Sequence, residues 1–148
     1  MKNLNNIPNK LSLDSSIILS YYLGEGLGEI VKELLFQDTD REFYMSLNSL
    51  TEIFYILCRR LGFNIANNKI DTLLKINAIQ IISSTNLVSL AGKYKCERAI
   101  SLSDCFVIGL AKYSGSIALF AKREKEINRE LINNPFNVQI LFLEDLEL

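Results

Sequence analysis

Lys10-Leu11-Ser12-Leu13-Asp14-Ser15-Ser16-Ile17-Ile18-Leu19-Ser20-Tyr21-Tyr22 changes its apolar period in mid-stretch. Lys10 to Leu13 alternates as a strand does, whereas Ile17, Ile18, Tyr21 and Tyr22 recur at helical spacing. The change falls at Asp14-Ser15-Ser16, so a strand passes directly into a helix with an acid at the junction.

The same alternation continues outward. Gly24 to Gly28 breaks the helix; its Gly-x-Gly-x-Gly spacing follows a helix and lacks the dinucleotide pattern, so it reads as a turn. Ile30 to Leu35 restarts a helix that closes in the polar run Gln37 to Glu42. Phe43 to Leu47 reads as a strand, Ser49 to Leu61 as a helix stopped by Gly62, and Ile65 to Ile76 as another helix. Ala78 to Ser83 is a short β-branched run, followed by helices over Leu87 to Arg98 and Leu102 to Tyr113. Ser116 to Ala121 is strand-like, Glu124 to Ile132 a polar helix, and Val138 to Leu143 a last apolar strand beyond Asn133-Asn134-Pro135. Strands alternating with helices predict an α/β fold, a parallel sheet covered by helices on both faces.

A chain of 148 residues with 49% hydrophobic content suits one domain, residues 1–148, with residues 1–9 as a polar, Asn-rich N-terminal tail. That start lacks the apolar core of a secretory signal, and the longest apolar run, Cys105 to Ala111, is far short of the roughly 20 residues that span a bilayer. A cytoplasmic protein without a membrane segment is expected. Cys58, Cys96 and Cys105 are far apart and read as buried thiols, with no C-x-x-C pair. A net charge of −1 gives no general attraction to polyanions, so any nucleic-acid contact must be local. Lys93 to Arg98 and Lys122 to Arg129 carry most of the local positive charge, and either also reads as a solvated helix face. The chain has no histidine, which removes imidazole-ligated metals and imidazole-activated nucleophiles. Chemistry must run on carboxylates, hydroxyls, Lys or metal.

In a parallel sheet, ligands bind outside the carboxyl ends of the strands. Asp14 follows the first strand, Glu52 lies in the first turn after the second, and Glu124 opens the helix after Ser116 to Ala121. Asp104 begins an otherwise apolar helix and is therefore expected at the end of a buried one. A buried carboxylate must be protonated, paired or metal-bound, and carboxylates brought together repel unless a cation sits among them. Mg²⁺ or Mn²⁺ prefers such hard oxygen ligands and suits water activation and phosphoryl chemistry. Singly, each acid has a plainer reading. Ser49-x-x-Glu52 and Ser101-x-x-Asp104 fit capping boxes, Asp14 can cap the helix it precedes, and Glu124-Lys125-Glu126 can be an exposed helix start. Their joint placement on one sheet edge favours a site.

Leu13-Asp14-Ser15-Ser16, Leu50-Thr51-Glu52-Ile53, Ser101-Leu102-Ser103-Asp104-Cys105 and Ala118-Leu119-Phe120-Ala121-Lys122-Arg123-Glu124 resemble the four acidic blocks of the PIN domain, in the form found in VapC-type toxins. The resemblance runs from Lys10 to Leu143. It implies a three-layer α/β/α sandwich, a Mg²⁺- or Mn²⁺-dependent ribonuclease, a homodimer, and a small antitoxin partner that masks the site. It makes Asp14 and Asp104 metal ligands, with Glu52 completing the site directly or through water and Ser15 or Ser16 orienting a ligand or water. Lys122 and Arg123 become candidate phosphate contacts on the RNA substrate. The fourth block departs from the family's usual Thr-x-Asp, having Lys122-Arg123-Glu124, which leaves open whether Glu124 is a ligand. That departure also admits an inactive scaffold that only binds; a further alternative keeps the nuclease but assigns it to RNA processing without an antitoxin.

Overall fold

A computed structural model of the chain describes residues 4–37 and 40–146. After a 3-10 turn at Leu4–Asn6 the elements are β1 (Lys10–Leu13), α1 (Ser15–Tyr22), α2 (Gly28–Phe36), β2 (Glu42–Ser46), α3 (Leu47–Leu61) and α4 (Phe63–Leu74). Then come β3 (Ile79–Ile82), α5 (Asn86–Glu97), α6 (Leu102–Ser114), β4 (Ile117–Phe120), α7 (Lys125–Asn133), β5 (Ile140–Phe142) and a 3-10 turn at Leu143–Asp145. The strands form one sheet in the order β3-β2-β1-β4-β5, and every neighbouring pair is parallel.

The period-2 pattern of the strands builds the layers. Leu11, Leu13, Phe43, Met45 and Leu119 face one side, where they pack with Ile17, Val31, Ile53 and Leu73 of α1 to α4. Ala118 and Phe120 face the other, against Ala91, Cys105, Ile108 and Ile127 of α5 to α7. Tyr44 joins Leu87 and Leu110 on that same side. Ser12 also points there, and its buried hydroxyl donates to the Val107 carbonyl at 2.8 Å, so a polar residue in a central strand carries no unmet group. The result is the α/β/α sandwich with a fully parallel sheet.

Gly115 adopts φ +65° and ends α6 in the left-handed conformation that favours glycine. Gly28 serves close packing instead: a Cβ there would stand 2.8 Å from the Ser20 carbonyl oxygen, so α1 and α2 approach too closely for any side chain.

Two local expectations are corrected, those for the end of the second strand and for the burial of the cysteines. The second strand was expected over Phe43 to Leu47, but it ends at Ser46, whose hydroxyl accepts the Ser49 N–H at 3.1 Å and caps α3. Leu47 is therefore helical, and Ser49 is not the cap of a box with Glu52. Within the polar N-terminal tail, the described residues from Leu4 onward are tied to the domain. Ile7 is buried, and the buried Arg41 guanidinium donates to the Leu4 carbonyl at 2.7 Å, the Pro8 carbonyl at 3.0 Å and the Ile7 carbonyl. Of the cysteines, Cys105 is buried, but Cys58 is half-buried and Cys96 exposed on α5. Residues 1–3 of the tail lie outside the described residues. No helix among the described residues is long and apolar enough to cross a membrane.

Candidate active site

The chain leaves β1 toward β2 on one side, and β4 later joins β1 on the other, so the strand order turns between β1 and β4. That is where an open parallel sheet forms a crevice at its carboxyl edge. Asp14 follows β1 there, and Ala121 to Glu124 follow β4. The Asp14 N–H donates to the Leu119 carbonyl at 3.0 Å, tying the two strand ends together.

Each acid is positioned by its own element. Asp14 caps α1, its Oδ2 accepting the Ser16 N–H at 3.0 Å. The capping role is real, yet it engages one oxygen of a carboxyl that is only 5% exposed. Glu52 is carried in by the first turns of α3, and the Ser15 hydroxyl donates to its Oε1, linking α1 to α3. Asp104 lies in the first turn of α6; Ser101 caps that helix by accepting the Asp104 N–H at 3.0 Å. Asp104 Oδ2 is buried without a hydrogen-bond partner. Glu124 occupies the cap position of α7 but makes no side-chain capping bond, and it is exposed. Ser16 takes a further part, its hydroxyl accepting the Ala121 N–H at 3.1 Å and pinning the turn that bears Glu124.

Electrostatics tie the four together. Burial pushes the Asp14 carboxyl up to about 6, against the hydrogen bonds from Ser16 that draw it down, and the charges of Glu52 and Glu124 push it further. Burial pushes Asp104 up to about 7, opposed by hydrogen bonding to Ser101 and reinforced by Asp14 and Glu124. Glu124 is raised as well, first by loss of hydration on its inner side, then by Glu126 and Glu52. Asp14, Asp104 and Glu124, all raised at one sheet edge, are a destabilised arrangement without a cation.

An all-oxygen donor set with an orphaned buried carboxylate oxygen fits Mg²⁺ or Mn²⁺ in kind. Among the described residues no three acidic or cysteine side chains already close on a single point, so the fit requires side chains to rotate inward or water to complete the shell. Glu52, tethered to Ser15, is the member whose hydrogen bond must give or be kept as the orienting contact.

The family model for the PIN domain matches residues 11–129. The chain belongs to the PIN domain family. Among solved structures it is similar to DNA-bound VapBC from Salmonella typhimurium, with 15% identity, a TM-score of 0.65, and 92% of this chain and 98% of that one covered. It is also similar to VapBC-1 from nontypeable Haemophilus influenzae, at 18% identity and TM-score 0.64, covering 91% and 98%. A third is VapC20 of Mycobacterium tuberculosis, a toxin that cleaves the sarcin–ricin loop, at 17% identity and TM-score 0.63, covering 81% and 93%. These likenesses concern the fold. No curated protein matches by sequence.

Within this PIN domain the two candidate phosphate contacts differ. Lys122 is exposed beside Ser16 and Glu124 at a cavity of about 470 Å³. Arg123 lines the same cavity, but its guanidinium pairs with Asp145 at 2.7 Å, donates to Asn128 at 3.0 Å and lies 4.6 Å above the Phe142 ring. The Arg123 N–H also donates to Glu144, so the closing 3-10 turn braces the β4–α7 turn from below. Sequence reasoning missed Glu144 and Asp145, which carry no local signal beyond their charge. It also missed Arg60, which lines the cavity from the last turn of α3. The basic run Lys93 to Arg98 lies elsewhere: Arg98 is latched to the Asn134 and Pro135 carbonyls and packs 3.8 Å over Phe136.

Proposed function

We propose that the chain is a divalent-metal-dependent endoribonuclease, acting as the toxin of a toxin-antitoxin pair. The observation that carries this reading is Asp104, a buried carboxyl with an unpartnered oxygen, facing the charges of Asp14 and Glu124. PIN domain nucleases generally use divalent metal, and Asp14, Glu52 and Asp104 are the residues that would hold Mg²⁺ or Mn²⁺, with Glu124 as a further acid at the exposed rim. When bound, such an ion supplies a Lewis acid that activates water and offsets charge developing on the phosphate.

The chain's own residues do the rest. The Ser16 N–H orients the Asp14 carboxylate, the Ser15 hydroxyl orients Glu52, and the Ser16 hydroxyl fixes the Ala121–Glu124 turn against α1. Lys122 presents a cation to the incoming RNA backbone at the cavity rim. Asp14→Asn and Asp104→Asn should each abolish Mn²⁺-dependent cleavage of RNA while circular dichroism stays that of the native fold. Unchanged cleavage by both purified variants contradicts the proposal.

The partners belong to the same proposal. Phe63 at 61%, Ile65 at 47% and Tyr55 at 42% exposure are apolar side chains left open on α3 and α4, available to a second copy or a small antitoxin protein. A second reading, an inactive PIN scaffold that only binds, is favoured by the absence of a ready-closed trio of acids among the described residues. A melting titration separates the two, because an inactive scaffold gains no stability from millimolar Mn²⁺.

A further inference from the structure

The cavity beside the acids has a lining that the four acidic blocks do not explain. On α3, Glu52, Ile56 and Arg60 follow at intervals of four, so they form one stripe that starts at the acid cluster and runs roughly 12 Å toward the helix C-terminus. Ile56 and Arg60 of that stripe line the cavity. On α1 and its C-cap, Ser16, Leu19, Ser20 and Leu23 line the facing side. The space between them reaches Glu124 of the acid cluster, is mainly apolar through Leu19, Leu23 and Ile56 with Ser16 and Ser20 among them, and includes the Arg60 guanidinium.

Two cations serve this space, Arg60 at the far end and Lys122 at the near one, and both are exposed. Among the described residues neither makes an ion pair, whereas neighbouring Arg59 is occupied over the Tyr55 ring at 5.0 Å and Arg123 by Asp145. Glu25 is the lining carboxylate outside the acid cluster, and it too is exposed. Two available cations, apolar walls and a volume of about 470 Å³ match an unstacked nucleotide: the base meets the walls and the phosphates meet the cations.

We propose that this groove is the subsite for the nucleotide next to the scissile bond, and that Arg60 holds the phosphate on its far side. The proposal rests on the ribonuclease reading and adds a residue that no acidic block contains. Arg60 stands about two helical turns beyond Glu52 on α3, so the role assigned to it is strand binding and register.

The test uses the full chain and a labelled, mixed-sequence single-stranded oligoribonucleotide, with binding followed by fluorescence anisotropy in EDTA over a salt series. Arg60→Ala should weaken binding several-fold and flatten the log–log salt slope by about 0.7, the value of one lost contact on single strands. Arg60→Lys should keep the slope, Glu25→Gln should tighten binding, and Arg60→Ala should melt with Mn²⁺ as the wild type does. If Arg60→Ala binds RNA with wild-type affinity and slope while Mn²⁺ still stabilises it, the subsite is wrong and the metal site stands; a protein partner in the groove would give this result. If Mn²⁺ does not stabilise the wild type, the nuclease reading falls and the subsite with it.

Discussion

Asp104 concentrates the tension of the site in one side chain. Its Oδ2 is buried without a partner and its carboxyl is pushed up to about 7, so above neutral pH the metal-free fold carries a poorly solvated charge. Asp104→Asn removes that charge at nearly constant shape. In EDTA at pH 8 it should stabilise the protein by about 2 kcal/mol, a rise in melting temperature of roughly 4–8 °C, while losing all stabilisation by Mn²⁺. Equal or lower melting temperature in EDTA would show that the carboxylate is already satisfied. The pH dependence has a definite sign. Asp14 and Asp104 rise from 3.8 to about 6 and about 7, so the folded state binds their protons more tightly than the unfolded one. Their contribution is fully present below about pH 4 and is lost as pH climbs through 6 and 7. Melting in EDTA should show that loss, and saturating Mn²⁺ should reverse it by favouring the ionised forms.

At the scale of elements, the strand-to-helix junctions place the chemistry. α3 is capped by Ser46 and begins at Leu47, and that start sets which face Glu52, Ile56 and Arg60 share. Ser46→Ala removes the cap on the Ser49 N–H and should cost about 1 kcal/mol, read from urea denaturation. Ser49→Ala should not remove a cap, since Ser49 is the capped residue. α1 is held against α2 at Gly28, where an added Cβ would meet the Ser20 carbonyl oxygen at 2.8 Å. Gly28→Ala should cost about 1–3 kcal/mol and disturb the α1 wall of the groove. The junctions at Asp14 and Asp104 could be read from sequence because apolar period and capping residues change together there. The cap at Ser46 could not, because Ser46, Asn48 and Ser49 all suit the position and the choice is made by where β2 ends in the sheet, with Ser46 still paired to Ile82 of β3. Arg60 was legible in principle through its spacing from Glu52. It went unread because a basic residue before Gly62 is equally well explained by the helix dipole.

At the scale of the molecule, the parallel sheet and its order do what no short motif can: they bring residues 14, 52, 104 and 124 to one edge. The alternation of strands and helices revealed the sheet, and the acidic blocks revealed the family. What stayed hidden was long-range and polar, as in the Arg41 guanidinium that holds the carbonyls of Leu4, Ile7 and Pro8. Such contacts have no period. Deleting residues 1–9 should therefore destabilise the domain by a few kcal/mol, through the lost burial of Ile7 and the stranded Arg41, whereas removal of a loose tail would leave the urea midpoint unchanged.

The central claim is that these carboxylates are a metal site. A crystal of the protein soaked in Mn²⁺ and measured at an anomalous wavelength tests it most directly. A peak within coordination distance of both Asp14 and Asp104 carboxylate oxygens is the expected result; an empty cleft at saturating Mn²⁺, with both side chains still apart, would contradict it.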